Sequence, residues 1–154
     1  MQREDVVGRR KPASGVLISL AEPTIVFVTV CSEKREPWVA QPRVHEFVRA
    51  AWSDAQAWLV GYYLLMPDHI HFFCAPHDTA FTLDTWIKYW KRRFSIRANC
   101  EQWKWQEHKW DRRLRRQESY TEKWEYIRQN PARKGLVANA DDWPYQGMIN
   151  VLRW

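Results

Sequence analysis

Two histidines, His69 and His71, stand one residue apart in the apolar stretch "YYLLMPDHIHFF" of residues 62–73. Because side chains alternate along a β-strand, His69, His71 and Phe73 are predicted to share one face and Cys74 to point to the other. Two imidazoles on one face can converge on a single divalent cation. The spacing alone does not distinguish such a site from a surface histidine beside a half-buried one. A third ligand, a nucleophile or a basic surround would favour the metal site.

A helix over residues 119–131, "SYTEKWEYIRQNP", contains the candidate nucleophile. Ser119 and Glu122 have the spacing of a capping box, and Pro131 is predicted to end the helix. The apolar face is marked by the spacing of three large side chains: Tyr120, Trp124 and Ile127.

Tyr126 lies about 120° from the centre of that apolar face, on the side of Glu122. Asn130 follows four residues later, which places its amide next to the Tyr126 hydroxyl on a continuous helix. The pattern is also that of an exposed helix tyrosine followed by an asparagine that helps to end the helix. Tyr126 and Asn130 are therefore candidates whose assignment depends on the rest of the chain.

Basic and aromatic residues are interleaved through the second half of the chain. The net charge is +6, the pI is about 9.4, and eleven of the 154 residues are tryptophan. A groove that follows phosphates and stacks bases would use this mixture, which favours nucleic acid as the partner. The interleaved rings are Trp86, Tyr89, Trp90, Trp103, Trp105 and Trp110, of which Trp90 is expected in the core. The predicted phosphate contacts are Lys88, Lys91, Arg92, Arg112 and Arg113.

The order of elements predicts an α+β fold, a ferredoxin-like split β-α-β antiparallel sheet with helices packed on one face. The predicted order is strand 24–32, helix 42–59, strand 58–66, a turn at 67–68, strand 69–76 and helix 81–98. Residues 103–115 are predicted as a short strand or an irregular connection, and residues 135–147 as a loop. Residues 1–20 are predicted to be a basic flexible arm, and residues 21–154 a single domain.

Several classes of protein are disfavoured by composition. The three cysteines are widely spaced, which argues against a disulfide framework or a zinc knuckle. The first fifteen residues lack the apolar segment of a signal peptide, and no apolar run has the length of a membrane span. A reducing, cytoplasmic location is expected.

Three segments together resemble the single-tyrosine HUH transposases, where HUH denotes His-hydrophobic-His. They are "MPDHIHFF", "WQEHKWDRRLR" and "YIRQNPARKGLV", and the resemblance is to the bacterial REP-associated tyrosine transposases over residues 24–146. It implies a ferredoxin-like fold, with His69 and His71 holding Mg²⁺ or Mn²⁺ and Asn130 completing the site. It also implies that Tyr126 is the nucleophile and that the substrate is single-stranded DNA near a hairpin, such as a repetitive extragenic palindrome.

The implied reaction is cutting and rejoining of a strand through a 5′-phosphotyrosine, which conserves the bond energy for ligation. Asp68, Glu122 or a water molecule of the metal site could deprotonate Tyr126. Two departures from the family pattern are present. Asp111 is followed by Arg112 where many relatives have a histidine, and the segment before Thr24 matches the usual family opening poorly.

Three other functions remain open on sequence grounds. The chain could be a domesticated hairpin-DNA-binding protein without catalysis, although all four implied site residues are present. It could be a phosphoesterase that uses water, in which case no covalent adduct forms. A zinc site of His69, His71 and Cys74 is disfavoured because strand alternation points Cys74 away. Monomer and homodimer are both compatible with the sequence.

Overall fold

A computed structural model describes residues 9–10, 18–19, 24–115 and 117–153, and its centre is a five-stranded antiparallel sheet. Two short strands, β1 (Arg9–Arg10) and β2 (Ile18–Ser19), pair separately. The large sheet contains β3 (Ile25–Ser32), β4 (Trp58–Met66), β5 (His69–Pro76), β6 (Trp105–Leu114) and β7 (Gln146–Met148). The helices are α1 (Pro42–Asp54), α2 (Leu83–Ala98), α3 (Gln117–Ile127) and the short α4 (Asn130–Arg133).

The sheet has the strand order β6-β3-β5-β4-β7, with every neighbouring pair antiparallel. β3-α1-β4 and β5-α2-β6 are two β-α-β units, each split by a strand of the other unit, which is the ferredoxin-like arrangement. The predicted α+β fold and antiparallel sheet are confirmed. β7 adds a fifth strand beside β4, and it overlaps the end of the segment 135–147 that is predicted as a loop.

The two faces of the sheet are covered by different helices. Val28, Ile70 and Phe72 pack with α1 and α2 on one face, in a core rich in tryptophan. Phe73 and Leu114 pack with the apolar side of α3 on the other face. The prediction that the helices pack on one face therefore holds for α1 and α2 but not for α3. Because α1 and α2 already cover the first face, the apolar residues of α3 are buried against the second.

Gly61 in β4 permits the close approach of α3 to the sheet. The Tyr120 hydroxyl lies 2.4 Å from the position that a Cβ at Gly61 would occupy. This hydroxyl also accepts a hydrogen bond from the Tyr62 backbone N–H at 3.2 Å, and the Tyr62 ring stacks on Trp124 with centroids 4.6 Å apart. A glycine at this point in the strand thus fixes the position of the helix that carries Tyr126.

The ends of α3 differ from the prediction. The helix begins at Gln117, so Ser119 lies within it and is not the N-cap of a capping box. It ends at Ile127, and Pro131 lies in the first turn of α4 rather than ending the preceding helix. Proline has no N–H to donate to the carbonyl of Ile127, four residues earlier, so the helical hydrogen bonds are interrupted there. The helix therefore breaks before Asn130, and Tyr126 and Asn130 are not on one continuous helix.

β6 is a strand of ten residues, longer than predicted. Its alternation is obscured because Lys109 and Asp111, on the face covered by α2, form a buried ion pair with Nζ and Oδ2 2.7 Å apart. Most of the predicted arm, residues 1–20, lies outside the described residues, and the domain boundary remains a prediction. Within the described part of the chain, no helix is long and apolar enough to cross a membrane.

Candidate metal and nucleic-acid site

His69 and His71 lie on the same face of β5, as strand alternation predicts. Their Nε2 atoms are 3.2 Å apart and their ring centroids 4.6 Å apart. Both rings are packed against protein atoms, and the side chain of His69 is only 14% exposed. This distance is that of a hydrogen bond between the two rings, and it is also short enough for both nitrogens to bind one cation.

The Nδ1 atom of His69 is held by a chain of polar groups. It lies 2.8 Å from Asp68 Oδ1, and Asp68 Oδ2 accepts a hydrogen bond from Arg35 Nε at 3.0 Å. Lys34 and Arg35 both have left-handed backbone, with φ of 57° and 56°, a strained conformation for residues with a Cβ. This turn, just after β3, directs Arg35 to Asp68. The carboxylate then fixes the orientation of His69, as outer partners do for metal-binding histidines.

The Nδ1 atom of His71 is held by Thr29 of β3, whose Oγ1 lies 2.8 Å away. The two residues are directly opposite each other in the β3–β5 pair. The His71 ring also stacks on Phe27, with centroids 5.2 Å apart. Both imidazoles are thus oriented through Nδ1, and their Nε2 atoms face each other within hydrogen-bonding distance.

Burial keeps both imidazoles neutral. Burial, aided by the repulsion that two protonated imidazoles would exert on each other and by the charge of Lys123, lowers the pKa of His71 to about 3. Burial also lowers the pKa of His69, and Asp68 opposes this only in part. Burial raises the pKa of Asp68, but hydrogen bonds from His69 and Arg35 outweigh it and the pKa lies below its usual value. Neutral imidazole is the form that binds a metal ion.

The imidazoles of His69 and His71 could serve as two ligands of a divalent cation, but a third ligand is not in place beside them. Among the described residues there is no group of three or more histidine, cysteine, aspartate or glutamate side chains arranged to hold a metal. Cys74 is buried in the core on the opposite face, which agrees with the alternation that disfavours the zinc site. Asn130 makes no hydrogen bond to either imidazole, since its Oδ1 accepts one from Arg133 instead.

Tyr126 is 63% exposed and lies at the junction of α3 and α4. The guanidinium of Arg133 covers its ring at 4.1 Å from the centroid and donates to the Tyr126 carbonyl at 2.8 Å. Because Arg133 also bonds Asn130, it joins the two candidate residues across the break between the helices. Sequence reasoning did not single out Arg133, and its position after the proline carried no clear signal.

Tyr126 borders a cavity of about 670 Å³ between the end of β6 and α3, which we call the β6–α3 cavity. It is lined by Arg112, Arg113, Leu114, Arg115, Ser119, Glu122, Lys123 and Tyr126. Lys123 connects the cavity to the histidines, because its Nζ lies 4.9 Å above the Phe27 ring that stacks on His71. Burial and the charge of Arg112 lower the pKa of Lys123. Cations thus lie close together beside the candidate nucleophile.

The five predicted phosphate contacts fall into two groups. Arg112 and Arg113 line the β6–α3 cavity, near Tyr126. Lys88, Lys91 and Arg92 are on α2, which covers the opposite face of the sheet. Lys91 donates to the Gln106 carbonyl at 2.7 Å, and burial lowers its pKa to about 8. Lys88 pairs with Asp84, whereas Arg92 is exposed.

The interleaved aromatic rings are divided in the same way. Trp86 and Trp90 are buried, and Trp103 and Trp105 pack against the core on the α1–α2 face. Tyr89 and Trp110 are exposed, by 48% and 59%. Most of the aromatic signal in the sequence is therefore packing.

Thr29 and Arg35 are site residues that sequence reasoning missed. Thr29 was detectable, because it is the single polar break in the run "IVFVTV". Arg35 was not, because its role depends on the left-handed turn that precedes it.

Comparison with solved structures identifies the same architecture elsewhere. A REP-associated tyrosine transposase bound to a REP hairpin matches with a TM-score of 0.68 and 20% identity, over 80% of this chain and 75% of that one. The fold is shared with that transposase. A putative transposase from Deinococcus radiodurans R1 matches with a TM-score of 0.51 and 12% identity, over 69% of this chain and 89% of that one. No family model and no curated protein matches the sequence.

Proposed function

We propose that this chain is a REP-associated tyrosine transposase of the HUH type, which cuts and rejoins single-stranded DNA beside a hairpin. The observation that carries the proposal is the pair of Nε2 atoms of His69 and His71, 3.2 Å apart on the face of the sheet that also carries α3 and Tyr126. The shared fold with a hairpin-bound transposase supports the same assignment.

Tyr126 is the proposed nucleophile. Its Oη would attack the scissile phosphorus, forming a 5′-phosphotyrosine while the bond to the 3′ oxygen breaks and that oxygen leaves as a 3′-hydroxyl. In the reverse direction a 3′-hydroxyl attacks the phosphotyrosine, restores a phosphodiester and returns the proton to Tyr126. An exposed ring beside an open cationic cavity suits a nucleophile that must reach a polymeric substrate.

Glu122 is the proposed acceptor of the phenolic proton. It lies one helical turn before Tyr126 and lines the same cavity. Asp68 is the weaker candidate because both its oxygens are engaged, one by His69 and one by Arg35.

Mg²⁺ or Mn²⁺ is the proposed cofactor, held by His69 and His71 with Asn130 as the third ligand once its Oδ1 is released from Arg133. When bound, the cation would neutralise charge on the scissile phosphate. Two imidazole ligands favour Mn²⁺ more than the all-oxygen sites typical of Mg²⁺. Thr29 and Asp68 orient the two rings.

The test is a denaturing gel of the protein incubated with labelled hairpin DNA that carries single-stranded flanks, in Mg²⁺ or in Mn²⁺. A protein–DNA adduct should form with the native chain and disappear in Tyr126→Phe. Tyr89→Phe, which alters an exposed tyrosine on α2, is the matched control and should retain the adduct.

Each competing function gives a different result in this assay. Cleavage without an adduct would indicate a phosphoesterase that uses water. DNA binding without cleavage in either metal would indicate a hairpin-binding protein and would contradict the transposase assignment.

A further inference from the structure

Trp110 is an outlier among the tryptophans of this chain. It is 59% exposed, whereas every other tryptophan whose side chain is described is buried or partly buried. Within residues 24–115 and 119–153, its ring makes no aromatic or cation–π contact, although other described tryptophans take part in ring pairs. An exposed indole without a packing role is a candidate for binding.

The register of the sheet places Trp110 on the face of the histidines. Trp110 is directly opposite Thr29 in the β3–β6 pair, and Thr29 is directly opposite His71 in the β3–β5 pair. Side chains of directly opposed residues share a face, and the Thr29 hydroxyl bonds the His71 ring. Trp110 thus lies about 10 Å from His71, two strand spacings across the sheet.

Two cations border the same surface. Arg112 is two residues beyond Trp110 on the same face of β6, and it lines the β6–α3 cavity with Lys123 and Tyr126. Neither Arg112 nor Lys123 has an ion pair with a described carboxylate, although the two lie close enough to influence each other. The cavity has four cationic side chains and one carboxylate, Glu122, in its lining, and this positive excess beside an open indole matches a polyanion with unstacked bases better than an apolar peptide.

We propose that Trp110 stacks on an unpaired base of the DNA strand whose phosphates lie along Arg112 and Lys123 toward Tyr126. The inference rests on the proposed function and adds a base-binding position to it. It identifies the substrate feature as a single-stranded flank rather than the hairpin stem, because paired bases do not offer a free face to an indole.

The test is binding of a fluorescein-labelled hairpin oligonucleotide with a single-stranded extension, measured by fluorescence anisotropy. Trp110→Ala should weaken binding about 5- to 150-fold, the contribution of one stacked base. Trp110→Phe, which keeps a ring, should retain most of the affinity, and Tyr89→Ala on the opposite face should bind like the native chain.

An abasic scan of the extension gives a readout that a merely structural role would not change. With the native chain, one abasic position should weaken binding, and that same position should have no further effect in Trp110→Ala. A blunt hairpin should bind both chains equally.

Equal affinity of the native chain and Trp110→Ala for the extended hairpin would overturn the inference. If the Tyr126-dependent adduct still forms in that case, the proposed function stands without it. If the native chain binds neither DNA and forms no adduct, both proposals fail together. The stacking role would also be overturned if Trp110→Ala lowered the affinity for the blunt hairpin as much as the affinity for the extended one.

Discussion

The two faces of the central sheet have the same backbone but different chemistry. On the α1–α2 face, large side chains such as Trp58, Trp86 and Phe72 are fully buried and pack ring against ring. On the α3 face, a smaller apolar cluster around Phe73 and Trp124 covers part of the strands. The histidine pair and several cations lie beside that cluster.

Under the proposed function, one face of the sheet serves stability and the other serves binding. The α1–α2 face holds the larger buried apolar cluster, whereas the α3 face holds polar and charged side chains beside a smaller one. Thr29 illustrates the contrast. Its neighbours Val28 and Val30 point into the packed core, whereas Thr29 itself orients His71 on the other face.

The largest expected effect comes from removing a large buried side chain from the α1–α2 face. Trp90 is fully buried among Trp52, Phe72 and Trp105, so Trp90→Ala should lower the free energy of unfolding by about 3–5 kcal/mol. Trp110→Ala should change it by less than about 0.5 kcal/mol. Urea unfolding followed by circular dichroism measures the free energy of unfolding of both variants. Equal losses in the two variants would contradict the proposed difference between the faces.

The outer partner of His69 is the next test, and it separates metal binding from folding. Asp68→Asn should weaken Mn²⁺ binding about 10- to 100-fold, because the carboxylate that orients His69 is lost. Isothermal titration calorimetry gives the affinity directly. Asp54→Asn, which alters a carboxylate paired with Arg97 on the other side of the molecule, is the control. Identical Mn²⁺ affinity in the native chain, Asp68→Asn and Asp54→Asn would argue against a metal site at the histidines.

A smaller effect, on the salt dependence of DNA binding, is expected from replacing single cations on the two faces. Arg112→Gln should reduce the slope of log affinity for single-stranded DNA against log salt by about 0.7, the contribution of one phosphate contact. Arg92→Gln, which removes an exposed cation from α2, should leave the slope unchanged. Should Arg92→Gln have the larger effect, DNA would follow the α2 face and the proposed path past Tyr126 would be wrong.

Regular periodicity made most of the fold predictable. The strands β3, β4 and β5 have apolar residues with a period of two, α2 has them with a period of 3.6 residues, and all four elements are found where predicted. β6 was ambiguous because Lys109 and Asp111 neutralise each other at inward positions that otherwise hold apolar residues.

The site was predictable only where it depends on local spacing. Strand alternation was sufficient to place His69 and His71 on one face. The face on which α3 packs depends on which surface α1 and α2 leave open, and that is a property of the whole fold. The link through Arg133 depends on the helix break before Pro131, so Tyr126 and Asn130 are joined through Arg133 and not by one turn of a continuous helix.

Mapping the covalent adduct tests the central claim most directly. After incubation with extended hairpin DNA and Mn²⁺, nuclease and trypsin digestion should leave a nucleotide on the peptide Trp124–Arg128, "WEYIR", in which Tyr126 is the sole tyrosine. Mass spectrometry should find the modification there and nowhere else, and should find none in Tyr126→Phe. A nucleotide on another residue, or cleavage without any modified peptide, would contradict the assignment of Tyr126 as the nucleophile.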